Sequence, residues 1–210
     1  MARRNPNLLA HYGSETGFLA FVAFLMAFLY IPIWVLIAFS FNDSRSLTWP
    51  LSGFTLDWYA KLAANSDLLA AIRNSFYVAT GATILTLCVG VPAAMALHKV
   101  AFPGKTVFRR LILLPITLPG IVTGISMLNM FKLIGFPLSL ETVILGHATA
   151  LLGVVVTQVY ARLQRLPKSL EEAAYDLGAT PWRSFVDITL PNIRSAIVGA
   201  GLLSFVLSFD

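Results

Sequence analysis

The chain has 210 residues, of which 57% are hydrophobic and only 12% are charged, against about 25% charged in an ordinary soluble domain. That excludes a water-soluble globular domain and points to an integral membrane protein. The net charge of +5 does not argue for nucleic acid, because the basic residues flank apolar segments, where they set topology.

In chain order, 1–16 is a polar leader with Arg3 and Arg4. Gly17 to Phe41 carries no charge and predicts a first membrane span with a kink at Pro32. Its apolar core is too long for a cleavable signal and no small-residue cleavage site follows, so it is expected to remain as a signal anchor. Segment 42–74 is a mixed loop whose Trp49, Phe54, Trp58 and Tyr59 suit the interfacial aromatic belt. Asn42-Asp-Ser44 is formally a glycosylation sequon, too short a match to carry weight. A second span is predicted from Ser75 to Leu97, rich in Gly, Ala and Thr, which permits close helix approach. Cys88 lies inside it, without an intrachain partner, as a small packing residue.

A short basic loop, 98–110, precedes a third span from Leu111 to Phe131 that contains Pro115, Pro119, Gly120 and Gly124. Such interruptions are tolerated in a bilayer where neighbours or a cavity satisfy the freed carbonyls. Gly120 and Gly124 also have the spacing of a helix-contact face. After a loop at 132–142, Val143 to Ala161 predicts a fourth span, and a fifth begins near Ser195. That fifth span is cut at Asp210, so the chain is expected to be part of a longer protein. The fold class is therefore all-α, a polytopic membrane helix bundle, with 1–210 as one transmembrane domain.

Between the fourth and fifth spans lies the one long polar run, 162–194, and its punctuation predicts a helix–turn–helix hairpin. Ser169-Leu-Glu-Glu172 reads as a capping box. Leu170, Ala173, Ala174 and Leu177 then fall on one helical stripe. Gly178 suits the positive φ that ends a helix. Thr180 can cap a second helix, with Pro181 at its first position, and Trp182, Phe185, Val186 and Thr189 give it an apolar side. Leu190-Pro191 closes the unit, Pro191 starting the last long helix. A short hairpin is marginal in water, so a docking partner is expected.

Orientation follows from the basic residues. Segments 1–16, 98–110 and 162–194 hold 11 of the 15 lysines and arginines, which puts the N-terminus and the hairpin in the cytoplasm. Little chemistry is available to the chain itself. Gly104-Lys-Thr106 imitates the end of a phosphate-binding loop, but Lys99 stands where the preceding glycine is required, so no ATP hydrolysis is expected. His11, His98 and His147 are scattered without metal-ligand spacing, and no nucleophile elbow occurs. No metal and no cofactor are expected. Within the predicted spans the ionisable side chains are His147, Asp210 and Cys88. With no acid pair or proton relay there, a passive pathway opened by an external motor is favoured. His147 has two readings, a ring hydrogen-bonded between helices or a group facing that pathway.

Glu172-Ala173-Ala174, Gly178, and Ile188 with Leu190-Pro191 stand at the spacing of the EAA signature. In these residues the chain resembles the permease subunits of binding-protein-dependent ABC importers. The resemblance implies that 162–194 is a coupling hairpin seated on cytoplasmic ATPase subunits. It also implies a second, identical or homologous permease, a periplasmic or tethered solute-binding protein, and the bacterial cytoplasmic membrane. Gly53 to Tyr59, Gly146-His147 and the Leu-Ser-Phe-Asp run ending at Asp210 look like spermidine/putrescine-type permeases, which implies a polyamine as the solute and His147 and Asp210 as pathway residues. Gly120 and Gly153 depart from that pattern, where an acid and a proline are common. Another solute of the same family (ferric iron, an opine or an anion) is the alternative; a membrane scaffold or enzyme without an ATPase is the rival from a different class.

Overall fold

The structure, a computed structural model, describes residues 6–209, with side chains from residue 16 onward. Among the described residues there is no strand, only an isolated antiparallel bridge between Asn42 and Phe54. Among the same residues four helices are long and apolar enough to cross a membrane, and a bent helix pair makes up to five. The expected all-α membrane architecture is what the chain adopts. It divides into two compact units, Met1–Leu69 and Ala70–Asp210.

In the first unit, α1 (Pro6–Phe39) runs unbroken through Pro32, and none of its described residues is buried. From Gly17 to Phe39 the helix is apolar on every side, as a membrane span is. The loop that follows is folded around Asn42, which is 1% exposed. Its side-chain amide donates to the Ser46 carbonyl (3.1 Å) and its Oδ1 accepts from the Ser52 amide (2.9 Å). The Trp58 indole N–H donates to its backbone carbonyl at 2.8 Å. Trp58 lies on the short helix α2 (Asp57–Ala64), where Lys61 Nζ sits 4.4 Å from its ring centre. With both ends of its amide engaged, Asn42 is a structural keystone and not a glycan acceptor. Asn42→Ala is expected to leave these loop groups unpaired, costing about 1–3 kcal/mol locally. Limited proteolysis between residues 43 and 56 should then be clearly faster than in the wild type.

The second unit is built around α6 (Leu140–Gln164), which packs against α4 (Lys105–Thr117), α5 (Gly120–Leu133) and α9 (Leu190–Phe209). The long helix α3 (Ser66–Lys99) joins the same core, in which Leu97, Ile112, Val155, Val159, Leu163 and Ile193 are buried. Small residues set the helix distances. A Cβ at Gly90 would lie 2.7 Å from Val155 Cγ1, so α3 and α6 touch at that level because no side chain intervenes.

The segment expected as a third span is not one helix. It is α4 followed by α5, bent by 109°. Pro119 disfavours helical backbone in the residue before it, and Leu118 is extended at ψ 145°. The Gly120/Gly124 pair is not a helix-contact face within this chain, because a Cβ at either would meet nothing within 4 Å. Both glycines instead line an apolar cavity of about 390 Å³ between α5 and α6.

Candidate functional site

The polar run folds as a hairpin. Its first arm, α7 (Lys168–Asp176), ends at Gly178 with φ +82°. The Gly178 amide donates to the Tyr175 carbonyl and the Ala179 amide to the Ala174 carbonyl, both at 2.9 Å. That pair of bonds is a complete Schellman ending, which satisfies carbonyls a helix would otherwise leave open. The second arm starts as predicted. Thr180 Oγ1 accepts from the Arg183 amide at 3.3 Å, and Pro181 occupies the first position of α8 (Pro181–Ser184).

Three local expectations are corrected. Ser169 does not cap α7: the helix already begins at Lys168, behind Pro167 in an extended conformation (ψ 128°), so Ser169 lies inside it. The stripe of Leu170, Ala173, Ala174 and Leu177 buries only Ala174, and Leu177 is 89% exposed. Pro191 does not start a separate helix. The second arm passes through a π-helical turn, Phe185–Thr189, straight into α9. Proline has no amide to offer the carbonyl four residues back, and the wide turn absorbs that defect. The Leu190 amide reaches back to the Phe185 carbonyl, and the Asn192 side chain donates to the Ile188 carbonyl at 2.8 Å.

Of the residues expected to carry function here, Ala173, Ala174, Gly178 and Ile188 line one groove of about 430 Å³ between the two arms. Glu172 points away from it, exposed and without a hydrogen bond or ion pair among the described residues. Leu190 is half-buried and Pro191 exposed, both in the first turn of α9.

Glu171, which motif spacing did not single out, is the acid that binds inward. Its Oε1 accepts from Lys99 Nζ at 2.7 Å and from the Thr189 hydroxyl at 2.6 Å. Successive residues on a helix point about 100° apart, so Glu171 shares a face with buried Ala174 and Glu172 does not. Burial pushes the Glu171 carboxyl up, but the hydrogen bonds from Lys99 and Thr189, with the charges of Lys99 and His98, outweigh it and hold it below its usual 4.5. A carboxyl held low in the folded state adds stability above its unfolded value, lost as pH falls through the folded one. Wild type should therefore be only slightly more heat-stable than Glu171→Gln at pH 7, by no more than about 1 kcal/mol, the scale of an ion pair this open to water. The difference should shrink once pH falls below about 4.5, the usual value, in melting scans of purified protein. A second tether joins the helices flanking the hairpin: Arg162 Nε donates to the Asn192 carbonyl at 2.9 Å.

His147 lies elsewhere, on α6. Its Nδ1 is 2.8 Å from the Ser208 hydroxyl of α9, and its ring also lines the cavity formed by α5 and α6. The hydrogen-bonded reading of this residue is what the contact with Ser208 shows. Asp210 lies outside the described residues. Among the described residues no group of His, Cys, Asp and Glu could hold a metal ion.

A family model of binding-protein-dependent transport system inner membrane components matches residues 86–210. The chain is 37% identical over 191 residues to the putrescine transport system permease protein PotI of Escherichia coli (strain K12), covering 87% of this chain and 67% of that protein. It is also 37% identical over 191 residues to the spermidine/putrescine transport system permease protein PotC of the same strain, covering 90% of this chain and 72% of that one. Among solved structures, it is similar to the crystal structure of a bacterial ABC transporter involved in the import of the acidic polysaccharide alginate. That match has a TM-score of 0.68 at 18% identity, over 99% of this chain and 74% of that one. At such identity the likeness concerns the fold alone.

Proposed function

Because the chain belongs to the family of binding-protein-dependent transport system inner membrane components, we propose that it lines the solute pathway of an ATP-driven polyamine importer, with 162–194 as its coupling hairpin. As a member of that family it is a multi-pass inner-membrane permease component, not an enzyme. The observation that carries the coupling role is the hairpin itself. The turn at Gly178 presents an arm whose Glu172, Leu170 and Leu177 are exposed among the described residues. Such a surface suits a groove on another subunit.

In this reading the N-terminus and the hairpin are cytoplasmic, where two ATPase subunits close on ATP and push the hairpin. Glu172, Ala173, Ala174, Gly178, Ile188, Leu190 and Pro191 form the coupling element. The bundle, paired with a second permease, identical or homologous, then switches access for a solute delivered by a binding protein. His147 and Asp210 are assigned to the pathway. The polyamine assignment is supported by the names of the relatives at 37% identity, but one fold serves many solutes. The test is uptake by the reconstituted complex with its cognate binding protein. Labelled putrescine and spermidine should accumulate, and ferric iron, opines and anions should not compete. Saturable uptake of one of those competitors in their place would overturn the polyamine reading and leave the importer reading standing.

A further inference from the structure

We propose that Glu171 is a positioning residue whose carboxylate latches the hairpin onto the end of α3, so that movement of the hairpin is delivered to that helix directly. The proposal rests on the importer reading above and deepens it. One oxygen, Glu171 Oε1, holds three segments together: α7 itself, Lys99 at the last position of α3, and Thr189 at the end of the π-helical turn. By chain connectivity the hairpin belongs to α6 and α9 alone. Lys99 stands 72 residues away in sequence, and among the described residues this ion pair is what bonds α3 directly to α7. The π-turn at its other end is where one arm passes into α9, and such turns are places where a helix changes its winding.

The strength of the contact decides its role. The side chains of Lys99 and Glu171 keep 31% and 21% of their exposure. An ion pair so open to water contributes within about 1 kcal/mol, too little to hold the fold. The Arg162–Asn192 bond ties α6 to α9 independently, so opening the latch leaves the hairpin attached. A contact of that size can open and close within a transport cycle. By contrast, a second pair on the hairpin, Arg183 with Asp187 at 3.6 Å, is internal to one arm, 77% and 61% exposed, and links nothing.

The experiment uses the full chain in its complex with the cognate ATPase and binding protein, in proteoliposomes. Glu171→Gln, Lys99→Met and the reversed pair Lys99→Glu with Glu171→Lys are compared with wild type for solute moved per ATP hydrolysed. Melting temperature and recovery of the ATPase subunit are measured alongside. The two neutralised variants are expected to lose about fivefold or more in solute per ATP while still binding the ATPase and melting close to wild type, a loss equivalent to about 1 kcal/mol of coupling. The reversed pair should recover most of the ratio, since the Thr189 hydroxyl can accept from a lysine as it donates to a carboxylate. A wild-type ratio in the neutralised variants would overturn the latch, as would a loss that follows the melting temperature or one that the reversed pair does not repair. The importer reading fails differently: a wild-type complex that recruits no ATPase would sink it, and the latch with it.

Discussion

Glu172→Ala and Gly178→Asp are each expected to leave the protein inserted in the membrane while solute uptake per ATP hydrolysed falls on the order of tenfold, about 1.4 kcal/mol of lost coupling. The two substitutions reach that result by different routes. Glu172 is exposed and touches no polar group among the described residues, so its truncation should change folding stability by no more than about 0.5 kcal/mol. Any large loss of transport must then come from a contact with another chain. Gly178 acts through the backbone. At φ +82° a side chain adds roughly 1–2 kcal/mol of strain. Relief of that strain would open the Schellman bonds from Gly178 and Ala179 and swing the exposed arm out of position. Reconstituted complexes are the measurement, with ATP hydrolysis and uptake recorded on the same vesicles. Normal uptake in both variants would mean that coupling does not pass through this hairpin.

The second large effect is on assembly of the bundle. Gly153→Ala is expected to destabilise the protein by about 1–3 kcal/mol, the usual range for overfilling a packed site. A Cβ at Gly153 would lie 2.5 Å from Ile116 Cδ1 and 2.9 Å from the Ile112 carbonyl oxygen. The isoleucine tip can turn away, but the carbonyl belongs to the α4 backbone, so α4 itself must retreat from α6. The control is Gly124→Ala, where a Cβ meets nothing within 4 Å and alanine should favour the helix by roughly 0.5–1 kcal/mol. The melting temperatures of the purified variants should move in opposite directions. Equal shifts would show that helix propensity, not the α4–α6 approach, governs both sites. The same contact gives a steric reason for glycine at this point of the sixth helix: α4 lies directly against it.

Much of the architecture could be read from residues alone. Long apolar runs located the spans, although the second helix starts at Ser66 instead of the expected Ser75 and the last runs on from Pro181 instead of starting near Ser195. Gly178, Thr180 and Pro181 placed the turn of the hairpin. These signals work because each acts over one helical turn: a missing Cβ, a capping hydroxyl, a ring that fixes φ. Local rules failed where two of them competed. Pro119 outweighed the apolar continuity of Leu111 to Phe131, turning one expected span into α4 and α5 at 109°. At Pro191 the outcome was the reverse, since a π-turn let the helix continue through a residue that usually starts one. At Pro167 a neighbour set the helix start and left Ser169 without a capping role.

The sequence by itself thus determined a membrane-embedded, all-helical chain with a polar elbow bearing the residues of its family's signature. Only the tertiary structure decided which of two adjacent glutamates turns inward. Glu171 and Glu172 are adjacent acids that face about 100° apart on one short helix; what selects Glu171 is Lys99, brought to 2.7 Å from 72 positions away. A local pattern can say that a helix has faces, but which face meets a partner depends on where distant helices lie.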